Sequence, residues 1–335
     1  MVATMMKMAT GNAGHGALFL FGDSLLDVGT NNHFNDSSAR ADHQYYGIDY
    51  PHSKATGRFS NGYNSADLIA WFLTNFALSP PPFLSLADHS AHTFLQEIFK
   101  GANFASAGSG ILIDTGHDKY AKVLGSHTAD IFLAMSTYII SVGSNDFFEH
   151  QGAIYSNLTK PEYLIANLTT TYSMQLQKIR NNRNSATWLL SDRTIPQSNI
   201  ILRRRWLCGG MNDLAQAFHA STEALLQNFS ATNQGVFYSL GNTYNTIMDF
   251  IDNPRANGFE VVDTACCGNG TFNAEKKCER GAKLCTNRDE YLFWDEFHPT
   301  QAASRRAALT LVFAEGPEFV TPMNFSSLAK VSAYV

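Results

Sequence analysis

Ser24, Asp295 and His298 are the three residue types that together activate a hydroxyl for attack on a carbonyl. Asp295 and His298 lie three apart. On a turn, that spacing lets a carboxylate accept from the imidazole Nδ1–H and aim Nε2 at a nucleophile. Ser24 follows Gly22-Asp23, which ends the apolar run Ala17-Leu-Phe-Leu-Phe21. Acyl transfer also needs donors placed where an oxyanion develops. The Ser24 N–H, the Gly108 N–H within Ser106-Ala-Gly-Ser-Gly110 and the side-chain amide of Asn145 are the candidates. Each element has a plainer reading when taken alone. Ser24 could cap a helix, and Asp295 and His298 could be an exposed carboxylate and a capping imidazole. As a set, each on a polar loop after an apolar or β-branched run, they point to a serine hydrolase.

The elements that must position these residues follow from periodicity. Residues 17–21 read as a strand buried on both faces, as in a parallel sheet covered by helices. If a helix starts near Leu25, its N-terminus favours negative charge beside Ser24. Ala102-Asn-Phe-Ala105, Thr137-Tyr-Ile-Ile-Ser-Val142 and Val236-Phe-Tyr-Ser239 read as further strands. Amphipathic spacing predicts helices over 66–76, 162–180 and 211–229 and from about Gln301, with Pro299 setting the start of the last. The stretch from Gly29 to about Gly62 has no long period and reads as loop. Three strands thus end in polar loops carrying Ser24, Gly108 and Asn145, the edge at which open α/β sheets bind ligands.

The chain has 335 residues, 44% of them hydrophobic, enough for one large α/β domain. A formal net charge of −5 argues against general nucleic-acid binding, and Arg203–Arg205 reads as an exposed basic cluster on an acidic chain. No run of 18 apolar residues occurs, so no transmembrane segment is expected. Cys266, Cys267, Cys278 and Cys285 cluster while Cys208 stands apart. Paired C-x2-C zinc spacing is missing, so a disulfide-bearing loop is expected, with its pairing open. Sequons at Asn35, Asn157, Asn167, Asn228, Asn269 and Asn324 exceed chance too little to argue export. Residues 1–16 show no apolar signal-peptide core.

Several stretches resemble the plant GDSL esterase/lipase family of the SGNH hydrolase superfamily. They are Phe21-Gly-Asp-Ser-Leu25 with Asp27-Val-Gly-Thr-Asn-Asn32, Arg58-Phe-Ser-Asn-Gly62, Gly101-Ala-Asn-Phe-Ala-Ser-Ala-Gly-Ser-Gly110, Ser141-Val-Gly-Ser-Asn-Asp146, Ala265-Cys-Cys-Gly268 and Asp295-Glu-Phe-His-Pro-Thr300. The similarity covers most of residues 17–315. It implies a flavodoxin-like three-layer α/β/α sandwich with a central, mainly parallel sheet. By motif position it implies Ser24 as nucleophile, His298 as general base, Asp295 as its orienter, and Ser24, Gly108 and Asn145 as the oxyanion hole. It implies hydrolysis of lipid acyl, acetyl or small-metabolite esters with no metal or organic cofactor, and a secreted protein. An acyltransferase of the same family is the alternative, and the oligomeric state is left open.

The chain departs from that pattern at three places. Residues 1–16 form an extension without the usual secretory signal, set apart from a hydrolase domain over 17–335. The stretch from about Ile113 to Ile131 is shorter than in the family. Residues 181–206 do not match, although similarity resumes at Met211-Asn-Asp-Leu-Ala215. A compensated frameshift or a misassigned exon boundary produces such a break, and sequencing the transcript there tests it. The sheet would then lose a central strand or replace it with Ala186-Thr-Trp-Leu-Leu190 or Asn199-Ile-Ile-Leu202. Such damage raises a further alternative, a remnant with its site residues but an impaired scaffold.

Overall fold

The computed structural model of the chain describes residues 2–8, 17–74, 78–87, 89–112, 120–122, 136–156, 158–180, 187–189 and 209–331. Val2–Met8 (β1), Leu18–Gly22 (β2), Gly101–Asn103 (β3), Thr137–Val142 (β4), Val236–Gly241 (β5) and Val320–Thr321 (β6) form one sheet in the order β6-β5-β1-β4-β2-β3. β2 runs parallel to β3 and β4, and β1 is antiparallel to both β4 and β5. β2, β3, β4 and β5 therefore share one direction, and β1 and β6 oppose it. The sheet is mainly parallel in the sense that four of its six strands run together.

Alternating side chains give the sheet two buried faces. On one, Met6, Phe19, Tyr138, Ile140 and Leu240 pack against the helices Pro161–Arg180 and Gly209–Thr232 through Leu168, Tyr172, Phe218 and Leu226. On the other, Met5, Leu18, Leu20 and Ile139 meet Ser65–Thr74, Gln301–Phe313 and Phe325–Lys330 through Ile69, Leu311, Val312 and Phe325. These are the three layers that the apolar strand at residues 17–21 anticipated. Each fully buried aliphatic or aromatic side chain contributes roughly 1.5–3 kcal/mol through removal from water.

The central strand corrects the sequence reading. Residues 1–16 were set apart from the domain, yet Val2–Met8 lies between β4 and β5, with Met5 opposite Ile139 on one side and Ser239 on the other. The candidate replacements do not take this place. Thr187–Leu189 pairs with Tyr120–Lys122 in a separate two-stranded ladder. Asn199–Leu202 lies outside the described residues, as do Arg203–Arg205, Cys208 and most of the 113–131 stretch. The slot demands a strand that satisfies backbone partners on both sides and is apolar on both faces. VATMMKM meets this demand, with methionines adapting to gaps. Its one charge, Lys7, donates to the Ala329 carbonyl at 2.7 Å. The antiparallel sense follows from reach. Met8 ends opposite Val236, at the edge where β2 begins, and nine residues separate Met8 from Leu18. Return to a parallel sense would need a crossover of about a dozen residues or more.

A buried ion pair holds the loop in front of the first long helix. Arg58 Nε and Nη2 donate to the Asp67 carboxylate at 2.6 and 2.8 Å, and both residues are buried. Asp67 also accepts from Ser79 N. Asp67→Ala leaves the guanidinium buried without its charge partner and is expected to destabilise the fold by about 3–5 kcal/mol. Urea unfolding reads this as a lowered midpoint, and an unchanged midpoint would refute it.

Candidate active site

The turn bearing Ser24 is built at the carboxyl end of β2. Gly22 is required there, since a Cβ at this position would lie 2.6 Å from the Ser141 carbonyl oxygen. The chain then makes a single turn, with Leu26 N and Asp27 N donating to Asp23 O at 3.2 and 3.0 Å. No helix begins at Leu25, which corrects that expectation. The reason lies in Asp27. Its carboxylate leaves the helical path to accept from Gly29 N and Thr30 N at 2.7 Å each and from Ala107 N at 3.0 Å. Asn31 completes the tie, donating to Ala107 O at 3.0 Å and accepting from Ser106 Oγ at 2.6 Å. The loop carrying Gly108 is thereby fastened to the turn carrying Ser24. Gly108 itself has φ +90°, a conformation that favours glycine.

The third loop is locked in the same manner. Asn145 sits in the first turn of the helix Ser144–Tyr155, and its amide donates one hydrogen bond to Ser109 O at 2.8 Å. A primary amide carries a second hydrogen, which Ser109 does not use. Next to it, the Asp146 carboxylate accepts from Ile111 N and Leu112 N at 2.8 and 2.9 Å. Among the described residues, no group accepts from the Ser24 or Gly108 backbone N–H.

Asp295 and His298 come from the loop before Gln301–Phe313. Thr300, not His298, caps that helix, accepting from Ala303 N at 3.1 Å. The loop closes on itself where Trp294 N donates to His298 O at 2.7 Å. Behind it lies the cysteine loop, with disulfides Cys266–Cys285 and Cys267–Cys278. Cys266 N and Cys267 N donate to Phe293 O and Trp294 O at 2.9 and 2.7 Å, so the cross-linked loop supports the strand of chain that ends in Asp295. The sequence placed a disulfide loop here but left its pairing open.

These loops converge. Ser24 Oγ is 2.8 Å from His298 Nε2, and His298 Nδ1 lies 2.7 and 2.9 Å from the two oxygens of Asp295. Asp295 also accepts from Phe297 N and His298 N at 2.9 Å each and from the Tyr46 hydroxyl at 2.7 Å. Burial alone would push its carboxyl up. The charge and hydrogen bond of His298, joined by the other donors, hold it below the ordinary carboxylate range. For His298 burial pulls down, while Asp295 and then Glu296 outweigh it and raise the imidazole above its usual value. With Asp295 ionised, Nδ1 is the donor and Nε2 is left to accept the Ser24 proton. The Phe59 ring packs 4.8 Å from the imidazole.

Ser24, Gly108, Asn145, Asp295 and His298 all line one cleft of about 860 Å³. Sequence reasoning missed Tyr46, Phe59 and Glu296. Tyr46 lies in the aperiodic loop, where nothing local marks it, and Phe59 falls within the Arg58-Phe-Ser-Asn-Gly62 stretch but had no role assigned to it. Three carboxyls around the site sit high because burial penalises their charge: Asp23 and Asp27 at about 6 and Glu296 at about 7. Among the described residues no group of His, Cys, Asp and Glu is arranged to hold a metal ion, and no helix is long and apolar enough to cross a membrane.

The family model described as GDSL-like Lipase/Acylhydrolase matches residues 18–311. Among curated proteins of Arabidopsis thaliana, the GDSL esterase/lipase At5g37690 is 32% identical, over 86% of this chain and 85% of its own length. The GDSL esterase/lipase At5g55050 is 31% identical over 96% and 92%, and the GDSL esterase/lipase LTL1 is 32% identical over 93% and 90%. The match begins on the strand before Ser24 and ends in the helix after His298, spanning every loop that meets in the cleft. The chain belongs to the GDSL-like lipase/acylhydrolase family and is, as a member, a carboxylic ester hydrolase.

Proposed function

We propose that this chain cleaves carboxylic esters by way of an acyl-enzyme on Ser24. The observation that carries the reading is the 2.8 Å contact of Ser24 Oγ with an imidazole whose other nitrogen is held by the Asp295 carboxylate. His298 takes the hydroxyl proton as Oγ bonds to the ester carbon. The oxyanion is met by Ser24 N–H, Gly108 N–H and the Asn145 amide. Each such donor is worth on the order of 10²–10³ in rate. Collapse breaks the bond to the alcohol oxygen, which leaves with the proton from His298. Water, deprotonated by the same imidazole, then frees the acid and restores Ser24.

The impaired-remnant alternative loses one of its two supports, because β1 fills the slot in the sheet, while the shortened 113–131 stretch lies mostly outside the described residues. Extracellular residence remains our reading, and the two disulfides support it, since such bonds persist in oxidising compartments.

Labelling tests the nucleophile. A fluorophosphonate is expected to modify the purified protein once, with the mass shift on the peptide that contains Ser24. A label on another serine, or none, would overturn the assignment. The pH profile tests the base. His298 must be neutral to accept the proton, and its neighbours raise it above the usual 6.5. Activity (kcat/KM) is therefore expected to fall with acidification through an apparent pKa above 6.5. A limb centred well below that value would exclude His298 as the base.

A further inference from the structure

Among the described residues, Tyr46 is the donor to Asp295 that comes from another part of the chain. Oδ1 of Asp295 takes Phe297 N, His298 N and, at 2.7 Å, His298 Nδ1, all from its own loop. Oδ2 has Nδ1 at 2.9 Å and the Tyr46 hydroxyl at 2.7 Å. Tyr46 and Asp295 are both buried. The Tyr46 ring is gripped edge-on by Phe59 at 5.9 Å, which also flanks the imidazole, and by Trp294 at 6.2 Å, the residue before Asp295. Its backbone is fastened where Gly47 N donates to Ser60 O at 3.0 Å. Burial and then the charge of Asp295 push the phenol well above its ordinary value, so it remains a donor.

The hydroxyl acts on the pair in two ways. With the backbone donors on Oδ1, it fixes the plane of the carboxylate so that both oxygens meet Nδ1. It also takes up part of the carboxylate's charge. A hydrogen bond to an ion is about twice as strong as one to a neutral group. The Tyr46 bond is therefore strongest while Asp295 faces a neutral imidazole, and weaker once a charged His298 shares the anion. Resting on the reading of His298 as general base, we infer that Tyr46 is a positioning residue that fixes Asp295 against His298 and keeps the imidazole free to accept the Ser24 proton. Other ionisable groups act on the same pair. They are Glu296 on its own loop, Asp23 on the Ser24 turn and, from the cysteine loop, Lys277 through Glu296 and Glu279 through Tyr46. The His43 ring lies 5.0 Å from that of Tyr46. All of these groups stay in place when Tyr46 alone is changed.

The test is the acid limb of kcat/KM for 4-nitrophenyl butyrate. Tyr46→Phe removes the donor and keeps the ring. Its plateau is expected to fall about tenfold, as for a lost hydrogen bond to a charged group, and its limb to move to higher pH by about half a unit or more. Tyr46→3-fluorotyrosine, introduced by codon suppression, makes a stronger donor of nearly the same shape, and its limb is expected to move to lower pH. A residue that only fills space lowers the plateau and leaves both limbs in place, and that result overturns the inference, as do two limbs that move the same way. Glu296 titrates at about 7, within the same window, so the comparison is repeated with Glu296→Gln, where loss of the shift would also overturn it. Should the melting curve show that Tyr46→Phe does not fold, the fluorotyrosine limb decides alone. A native enzyme whose Ser24 takes the fluorophosphonate and whose limb lies above 6.5, but whose limb neither replacement moves, overturns this inference alone. A native enzyme that takes no label, or whose limb lies well below that value, overturns the reading of the site and this inference with it.

Discussion

Ser24→Ala is expected to lower kcat/KM for 4-nitrophenyl butyrate by on the order of 10⁶-fold, the scale seen when the nucleophile of a serine hydrolase is removed. The fold should not suffer. Ser24 is a half-buried residue on a turn, its side chain bonds only to His298 among the described residues, and the hydrogen bonds of that turn come from Asp23 and Asp27. Thermal unfolding of the variant should therefore match the native protein. A variant that keeps activity within tenfold would show that another group attacks the ester. A variant that melts far below the native protein would show that the turn depends on the hydroxyl.

Asp295→Asn is expected to lower kcat/KM by about 10⁴-fold while the protein stays folded. Four donors converge on this carboxylate: Phe297 N, His298 N, His298 Nδ1 and the Tyr46 hydroxyl. A carboxylate accepts all four. An amide presents two hydrogens on one side and must turn them towards either the imidazole or the phenol. With the two backbone donors held on one oxygen, His298 is driven to the tautomer with a proton on Nε2, which no longer accepts from Ser24. Tyr46 can turn its hydroxyl to accept, so the fold tolerates the change. Steady-state kinetics beside a melting curve separates the outcomes. Loss of less than about tenfold would mean that Asp295 does not set the tautomer.

The candidate site was largely legible before any fold was in hand. Ser24, Gly108, Asn145, Asp295 and His298 each follow an apolar or β-branched run, and each reaches the same cleft. What made them legible is that a strand's period and its exit turn are written in a few consecutive residues. The helix expected at Leu25 shows the limit of such local reading. Residues 24–28 are compatible with a helix, but the Asp27 carboxylate finds better partners in Gly29, Thr30 and the distant Ala107. The supports of the site were illegible for the same reason. Tyr46 lies 249 positions from the carboxylate it contacts, in a stretch without period.

By itself, the sequence determined the class of fold and the candidate residues for chemistry, with Ser24, Gly108 and Asn145 on loops after strands, because apolar period, turn residues and side-chain identity are local properties. Tertiary structure alone decided that Val2–Met8 fills the centre of the sheet and runs against its neighbours. It alone decided that Cys266 pairs with Cys285 and Cys267 with Cys278, and that Glu296 is buried beside the reacting atoms. Each of these is a choice among distant partners. A strand takes a slot because other segments leave it open and because its two edges find donors and acceptors there, and neither condition is written within the strand.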